Sequence, residues 1–137
     1  MDDRARDTVG RLLERLLDHD MPGFAAQWAP DGTMDFPFAP PGAPSHLEGR
    51  DAVAEYLVGY TDVLAPRRIV DQRWHGTDDP GTVVLEFAVA GDVVATGEPY
   101  EIRYVAVITV GADGITSYRD YWSPAALPTT GAGAKAW

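Results

Sequence analysis

The sequence predicts a single α+β domain in which three N-terminal helices pack on a strongly curved, mainly antiparallel sheet that encloses a pocket. Three observations carry this expectation. Apolar residues recur at helical spacing in the first half of the chain, they alternate in strand fashion from about Ile69 onward, and short Gly/Asp turns separate the later segments. Helices first and hairpins afterwards place the helices on one face of a bent sheet. Three helices do not fill such a sheet, so a cavity at its mouth is expected. The 137 residues suffice for one domain with a real core, and 45% hydrophobic residues is a globular composition. Residues 1–126 read as the domain. Residues 127–137 read as a flexible tail, since Gly131-Ala132-Gly133-Ala134-Lys135 has little to pack.

Val9, Leu12, Leu13, Leu16 and Leu17, with Arg11, Glu14, Arg15 and Asp18 between them, predict an amphipathic helix over roughly Asp3–His19. Asp20-Met21-Pro22-Gly23 breaks it, and Pro22 opens a second short helix through Trp28. After the turn Ala29–Gly32, Thr33–Phe38 reads as a short strand with Pro37 at an edge or bulge. Ala39–His46 is an irregular loop rich in proline and glycine. Leu47-Glu48-Gly49-Arg50-Asp51 leads into a third helix, with Ala52, Val53, Tyr56, Leu57 and Tyr60 on its apolar side, which Pro66 ends. Strands follow over Ile69–His75 and Thr82–Ala90. A two-residue turn at Gly91-Asp92 leads to Val93–Thr96; further strands run over Tyr100–Val110 and Ile115–Trp122, and Ser123-Pro124 stops the sheet.

Composition narrows the function. A net charge of −10 repels phosphate backbones and anionic lipid, so nucleic acid and membrane partners are not expected. The chain has no cysteine, which removes disulfide and thiolate chemistry and is compatible with a reducing cytoplasm. The N-terminus lacks a basic start followed by an apolar stretch, and no apolar run has the length of a membrane span; the expected location is cytoplasmic. His19, His46 and His75 are not spaced as a metal pair, and no phosphate loop, dinucleotide fingerprint or nucleophile elbow occurs, so no cofactor is expected.

Asp120 is the first candidate for chemistry. If the Gly111–Gly114 turn carries no bulge, Val105 pairs with Asp120 and Arg103 with Trp122, so Tyr118, Asp120 and Trp122 share a face with Arg103, Val105 and Val107. A carboxylate among valines and aromatics is desolvated, which raises its pKa toward neutrality and suits it to general acid or base work. The same residue also fits a structural Asp near a sheet end. Arg103, diagonal to it, is a candidate to fix the carboxylate, bind an anion or stabilise an oxyanion, and equally a plain ion-pair partner. Glu86 is either a cavity group or solvent-facing. His46, at the end of the proline-rich loop, and His75 are candidate proton shuttles or ordinary surface histidines. Trp28, Phe36, Phe38, Tyr56, Trp74, Tyr118 and Trp122 are the aromatics expected to face inward, where a flat apolar wall suits an aromatic ligand. The loop itself is expected to form a stiff rim hinged at Gly42, or else a surface loop packed on a neighbouring subunit. In the bulge-free register Ile102, Tyr104, Ala106, Ile108 and Tyr121 lie opposite Asp120, a face too apolar for water, so a homodimer through the outer sheet face is expected.

The order of elements, the Phe24-Ala25-Ala26-Gln27-Trp28-Ala29-Pro30-Asp31-Gly32-Thr33 stretch, the Leu47-Glu48-Gly49-Arg50 entry and the ending Tyr118-Arg119-Asp120-Tyr121-Trp122-Ser123-Pro124 resemble the nuclear transport factor 2-like superfamily. Within it the chain looks most like the SnoaL-like polyketide cyclases and the phenazine-biosynthesis isomerases, over roughly Asp7 to Ala126. The resemblance implies a cystatin-like cone and a small-molecule substrate, with an acidic catalytic residue at the place of Asp120. It also marks departures. The tyrosine and the base of ketosteroid isomerase fall at Leu12 and Phe36, which cannot do that work. The Arg and Asp that limonene epoxide hydrolases place two apart become Arg103 and Val105. The phenazine isomerases tend to have histidine where Arg103 stands. The expected function is therefore a cofactor-independent acid/base enzyme acting on a small, largely hydrophobic, aromatic or polyketide-like metabolite by isomerisation, cyclisation or dehydration. An epoxide hydrolase or epoxide-opening cyclase and a non-catalytic small-molecule binder are the alternatives.

Overall fold

Val9, Leu12 and Leu16 form the buried stripe of α1 (Asp3–Leu17), whose N-terminus is closed by the Asp2 carboxylate accepting from the Ala5 amide at 2.8 Å. The computed structural model describes residues 1–123. The expected tail 127–137 lies outside the described residues. Asp20 caps α2 (Met21–Ala25) through the Gly23 amide, with Pro22 in the first turn, where its missing N–H costs nothing. The expected third helix is split at Val58-Gly59 into α3 (Arg50–Leu57) and α4 (Tyr60–Val63).

Six strands build the sheet: β1 (Trp28–Asp35), β2 (His46–Glu48), β3 (Leu64–Gly76), β4 (Thr82–Val93), β5 (Pro99–Gly111) and β6 (Gly114–Trp122). Their spatial order is β2-β1-β6-β5-β4-β3, antiparallel except for the β1/β6 pair. The long antiparallel run curls around α1, and its inner face supplies Val83, Leu85, Phe87 and Val89 from β4 and Ile102, Tyr104, Ala106 and Ile108 from β5, all buried.

Four local expectations are corrected. Pro66 does not end a helix; it lies within β3, an edge strand where its missing N–H breaks no central ladder. β1 begins at Trp28, so the expected second helix is shorter than predicted and the Ala29–Gly32 turn is part of an irregular strand. Pro37 falls just beyond β1, in the connection to β2. Gly91-Asp92 is not a turn, because β4 continues to Val93; the reversal is centred on Gly97, with φ of 73°, and there is no separate Val93–Thr96 strand.

The largest correction concerns register. Val110 pairs with Ile115, but Thr109 pairs with Ser117, which leaves Thr116 as one extra residue in β6. Beyond this bulge every partner shifts by one: Ile108 faces Tyr118, Ala106 faces Asp120 and Tyr104 faces Trp122. Asp120 therefore shares the inner face with Tyr104, Ala106 and Ile108. Arg103, Val105 and Val107 stand on the outer face with Arg119 and Tyr121. Of the residues expected opposite Asp120, only Tyr121 is there.

The tight turn feeding the bulge is set by Gly114, with φ of 120°. A Cβ at this position would meet the Gln27 carbonyl oxygen at 2.6 Å and the Ala29 amide nitrogen at 2.9 Å, because the start of β1 crosses directly over it. Gly114→Ala is expected to cost about 1–3 kcal/mol, read as a melting temperature lower by several degrees in thermal unfolding; an unchanged melting temperature would contradict the crossing described here.

Candidate active site

The inner face of the sheet and the helices that cover it leave a cavity. Its wall is apolar almost throughout, formed by residues such as Leu12, Leu16 and Met21 from the helices and Leu85, Val89 and Ile108 from the sheet. The polar exceptions among the described lining residues are Tyr56, Tyr60, Tyr104, Tyr118 and Asp120. The cavity measures about 60 Å³, against the ~150 Å³ of an engineered apolar cavity that holds benzene. A compact ligand fits as the walls stand; a larger one requires them to move.

Asp120 is brought inward by the bulge and is only 8% exposed. Its Oδ1 is fully buried and has no hydrogen-bond partner among the described residues. Burial pushes its pKa from the ordinary 3.8 up to about 7. Such a group is partly ionised near neutral pH and gives or takes a proton there with little driving-force penalty. Around it stand tyrosine hydroxyls. Those of Tyr60 and Tyr104 lie 3.4 Å apart, a long hydrogen bond. Burial raises the Tyr60 pKa to about 12, and it raises Tyr104 and Tyr118 well above the usual range, with the Asp120 charge acting in the same direction on all three. Tyr56 is raised by burial and by Asp120 as well. These phenols therefore stay protonated and act as hydrogen-bond donors.

The residues singled out from the sequence divide sharply. Asp120, Phe36, Tyr56 and Tyr118 line the cavity. Trp28 lies beneath it, completely buried, stacked on Tyr118 with ring centroids 5.4 Å apart and donating Nε1–H to the Thr33 carbonyl. Trp122 and Trp74 share the inner parity but stand away from the cavity; Trp122 is buried, and Trp74 is half-buried with its Nε1–H donated to Gln72. Arg103 does not approach Asp120. It is exposed on the outer face and bonds Asp71 at 2.9 Å, for the physical reason that the bulge reverses its parity relative to Asp120. Glu86 also faces outward, 2.6 Å from His75. His46 pairs with Asp35, whose β6 partner is the outward Arg119. It is held 2.6 Å from both Asp35 and Glu48, and hydrogen bonds to these carboxylates raise its pKa. It thus points away from the cavity, and the expected proton-shuttle position is not realised. Phe38 is 59% exposed and packs edge-on against Tyr121 outside the sheet, because the chain has left β1 before reaching it. The 39–46 loop turns at Gly42, with φ of 88°, and is tied by Phe36 N–H to the Ser45 carbonyl.

Tyr60 and Tyr104 are the polar cavity residues the sequence reading missed. One signal was present. In β6 the apolar residues change parity between Ile115 and Tyr118, and two strands can both face inward at those positions only if one residue is extra.

Fold and cavity together define a cone-shaped α+β domain with one carboxylic acid, among the described residues, buried against the inside of its sheet. The chain belongs to the SnoaL-like domain family, whose model matches residues 9–118, ending just short of Asp120. Its fold is the nuclear transport factor 2-like cone, as the sequence resemblance implied. A crystal structure of a candidate isomerase from Bacillus subtilis superposes with a TM-score of 0.88 at 30% identity, covering 97% of each chain. The steroid Delta-isomerase of Nocardioides simplex is 30% identical over 95% of this chain and 98% of its own. A candidate polyketide cyclase from Xanthomonas campestris pv. campestris shares the fold, with a TM-score of 0.72 at 23% identity over 88% of this chain and 90% of that one.

The raised Asp120 pKa has a consequence for stability. The folded state holds the proton up to about pH 7, whereas the unfolded chain releases it near 3.8. The folded state therefore binds more protons in between, and stability falls as pH rises through that window and levels off above it. At ~1.4 kcal/mol per pH unit, Asp120→Asn is expected to gain roughly 2–3 kcal/mol relative to wild type between pH 5 and pH 8. Urea unfolding of both proteins at the two pH values checks this, and a pH-independent difference would refute it.

Proposed function

We propose that this protein is a cofactor-independent acid/base enzyme, an isomerase or cyclase of a small, largely hydrophobic metabolite, with Asp120 as the group that moves the proton. One observation carries the reading: a carboxyl group, the one carboxyl among the described lining residues, its pKa lifted to about 7 by burial, faces a cavity lined by apolar side chains and tyrosines. In its ionised form Asp120 takes a proton from a carbon beside a carbonyl. Tyr60 and Tyr104 line the same cavity with hydroxyls that burial keeps neutral, and this hydrogen-bonded pair would steady the oxygen that becomes negative. Returning the proton at another carbon gives isomerisation; attack of the enolate on a second carbonyl opens its π bond, and the resulting alkoxide takes the proton back from Asp120 to give ring closure. The isomerase name of the Nocardioides relative and the family assignment support this class of chemistry. Arg103 has no part in it. Epoxide hydrolysis by paired carboxylates is disfavoured, since Asp120 is the one carboxylate among the described lining residues. The cavity volume favours a compact substrate, with an aromatic or polyketide-like one needing a wider mouth.

Two further parts of the proposal concern context. No helix of the described residues is long and apolar enough to cross a membrane, and the cysteine-free composition agrees with work in the cytoplasm. A second copy is proposed to cover the outer sheet face at Val84, Val105, Val107 and Tyr121, which are all partly exposed and carry no helix among the described residues.

Asp120→Asn keeps the shape and removes the proton site, so turnover of a cognate substrate should fall at least ~100-fold with the fold intact. In the wild type the rate should rise through about pH 7 as Asp120 ionises. A folded variant that turns over normally removes Asp120 from the mechanism. For assembly, analytical ultracentrifugation at micromolar concentration should show a dimer that Val107→Arg splits; a wild-type monomer refutes the outer-face contact.

A further inference from the structure

The cavity carries a charge asymmetry that the acid/base reading does not use. Among the described lining residues there is no lysine, arginine or histidine, and Asp120 is the one group able to carry charge at neutral pH. Among the described residues the groups lining the cavity with it from each packed element are neutral: Tyr56 and Tyr60 from α3 and α4, Tyr104 from β5, Tyr118 from its own strand, and apolar side chains from α1, α2, β1 and β4. The nearest arginines along the strands, Arg103 and Arg119, stand on the other side of the sheet. An anionic ligand would meet no compensating charge and would face a carboxylate across a low-dielectric space, which costs far more than it does in water.

The walls favour the opposite sign. Phe24, Phe36, Tyr56, Phe87, Tyr104 and Tyr118 line the space with aromatic rings, paired as Phe36–Tyr56 at 5.4 Å and Phe87–Tyr104 at 5.3 Å between centroids. The faces of such rings attract cations, most strongly where water is excluded. Oδ1 of Asp120 is buried without a donor among the described residues, so an N–H brought by a ligand would be its first partner. Volume sets the scale, since about 60 Å³ suits a body of a few carbons.

We propose that the cavity is a binding site for a small hydrophobic amine in its ammonium form, held by an ion pair to Asp120 and by the surrounding aromatic rings. The site excludes carboxylates and phosphates. It needs no turnover, so the proposal stands apart from the isomerase reading; an amine seated there would keep Asp120 ionised and occupy the space of a neutral substrate.

The test uses three probes with one hydrocarbon body and three charges: tert-butylamine, tert-butanol and pivalate, titrated into the full-length protein and followed by NMR shifts of the tyrosine and tryptophan rings. At pH 8 the amine is expected to bind at least ~10-fold more tightly than the alcohol, and pivalate not to bind. The amine stays protonated throughout, so its affinity follows the ionisation of Asp120. It should weaken by up to ~100-fold from pH 8 to pH 5, as the carboxylate takes up its proton. The alcohol should hold or gain affinity over the same range. Asp120→Asn should abolish the preference for the amine, and Phe87→Leu should weaken the amine several-fold while leaving the alcohol unchanged. The wild-type series decides the matter even if a variant does not fold. Equal binding of alcohol and amine, binding of pivalate, an amine affinity that does not change with pH, or no saturable amine binding at all would each overturn the proposal.

Discussion

Thr116 is one residue too many for a regular β5/β6 ladder, and the inner surface of the sheet depends on how that residue is accommodated. Without the bulge, Asp120 would share a face with Arg103, and the two would form a paired ion couple. With it, Arg103 and Arg119 stand outside, and Asp120 enters a wall of Tyr104, Ala106, Ile108 and Tyr118. Bulges recur beside active sites, where they re-aim side chains. Here the bulge sits next to the Gly114 turn, where the start of β1 crosses and Ile115 N–H bonds the Gln27 carbonyl. The geometry of the site is thus fixed by backbone contacts at the far end of the hairpin.

Much of the architecture was legible in local pattern. The stripe of Val9, Leu12 and Leu16 has one reading, because period and burial agree, and the alternation of Val83, Leu85 and Phe87 likewise fixes which face of β4 is inward. What was not legible is what local pattern does not encode. Whether the turn at Gly111–Gly114 carries an extra residue is decided by how β6 meets both β5 and the parallel β1, a contact between segments about ninety positions apart in sequence. The consequence was large because strand parity is all-or-none: one residue moved Tyr104 from the presumed outer face into the cavity and Arg103 the other way. Phe38 was assigned inward because it is aromatic, but it lies past the end of β1, where alternation no longer holds. Asp120 was placed inward by an argument whose register was wrong; its apolar neighbours in sequence carried the conclusion.

The charges of this molecule are sorted by the sheet. Outside, every histidine of the later strands and loops has an acidic neighbour: His46 lies between Asp35 and Glu48, and His75 lies against Glu86. Arg103 and Arg67 are likewise matched, with Asp71 and Asp92. These pairs are exposed, contribute little to stability and cost little to form. Strand parity beyond the bulge keeps Arg103 and Arg119 off the inner face. An arginine beside Asp120 would hold its carboxyl in the ordinary acidic range or below and end its use as an acid or base near neutrality.

Asp120, whose Oδ1 has no partner among the described residues, is therefore a weakness in the core. A buried carboxyl without a donor destabilises the fold once ionised, and replacing it by an apolar residue of similar volume would be the simpler solution for stability alone. Its position decides between the two explanations for such a residue. Asp120 is not lodged between packed layers, where a polar group would only be a defect; it lies where the inner surface of the sheet opens on a void, among phenols whose hydroxyls are held neutral. A void and an unsatisfied acid at the same point each cost free energy, and a small molecule that fills the first and satisfies the second offsets both at once. That coincidence, more than the shifted pKa taken alone, is the physical reason to regard this end of the cone as the working part of the molecule.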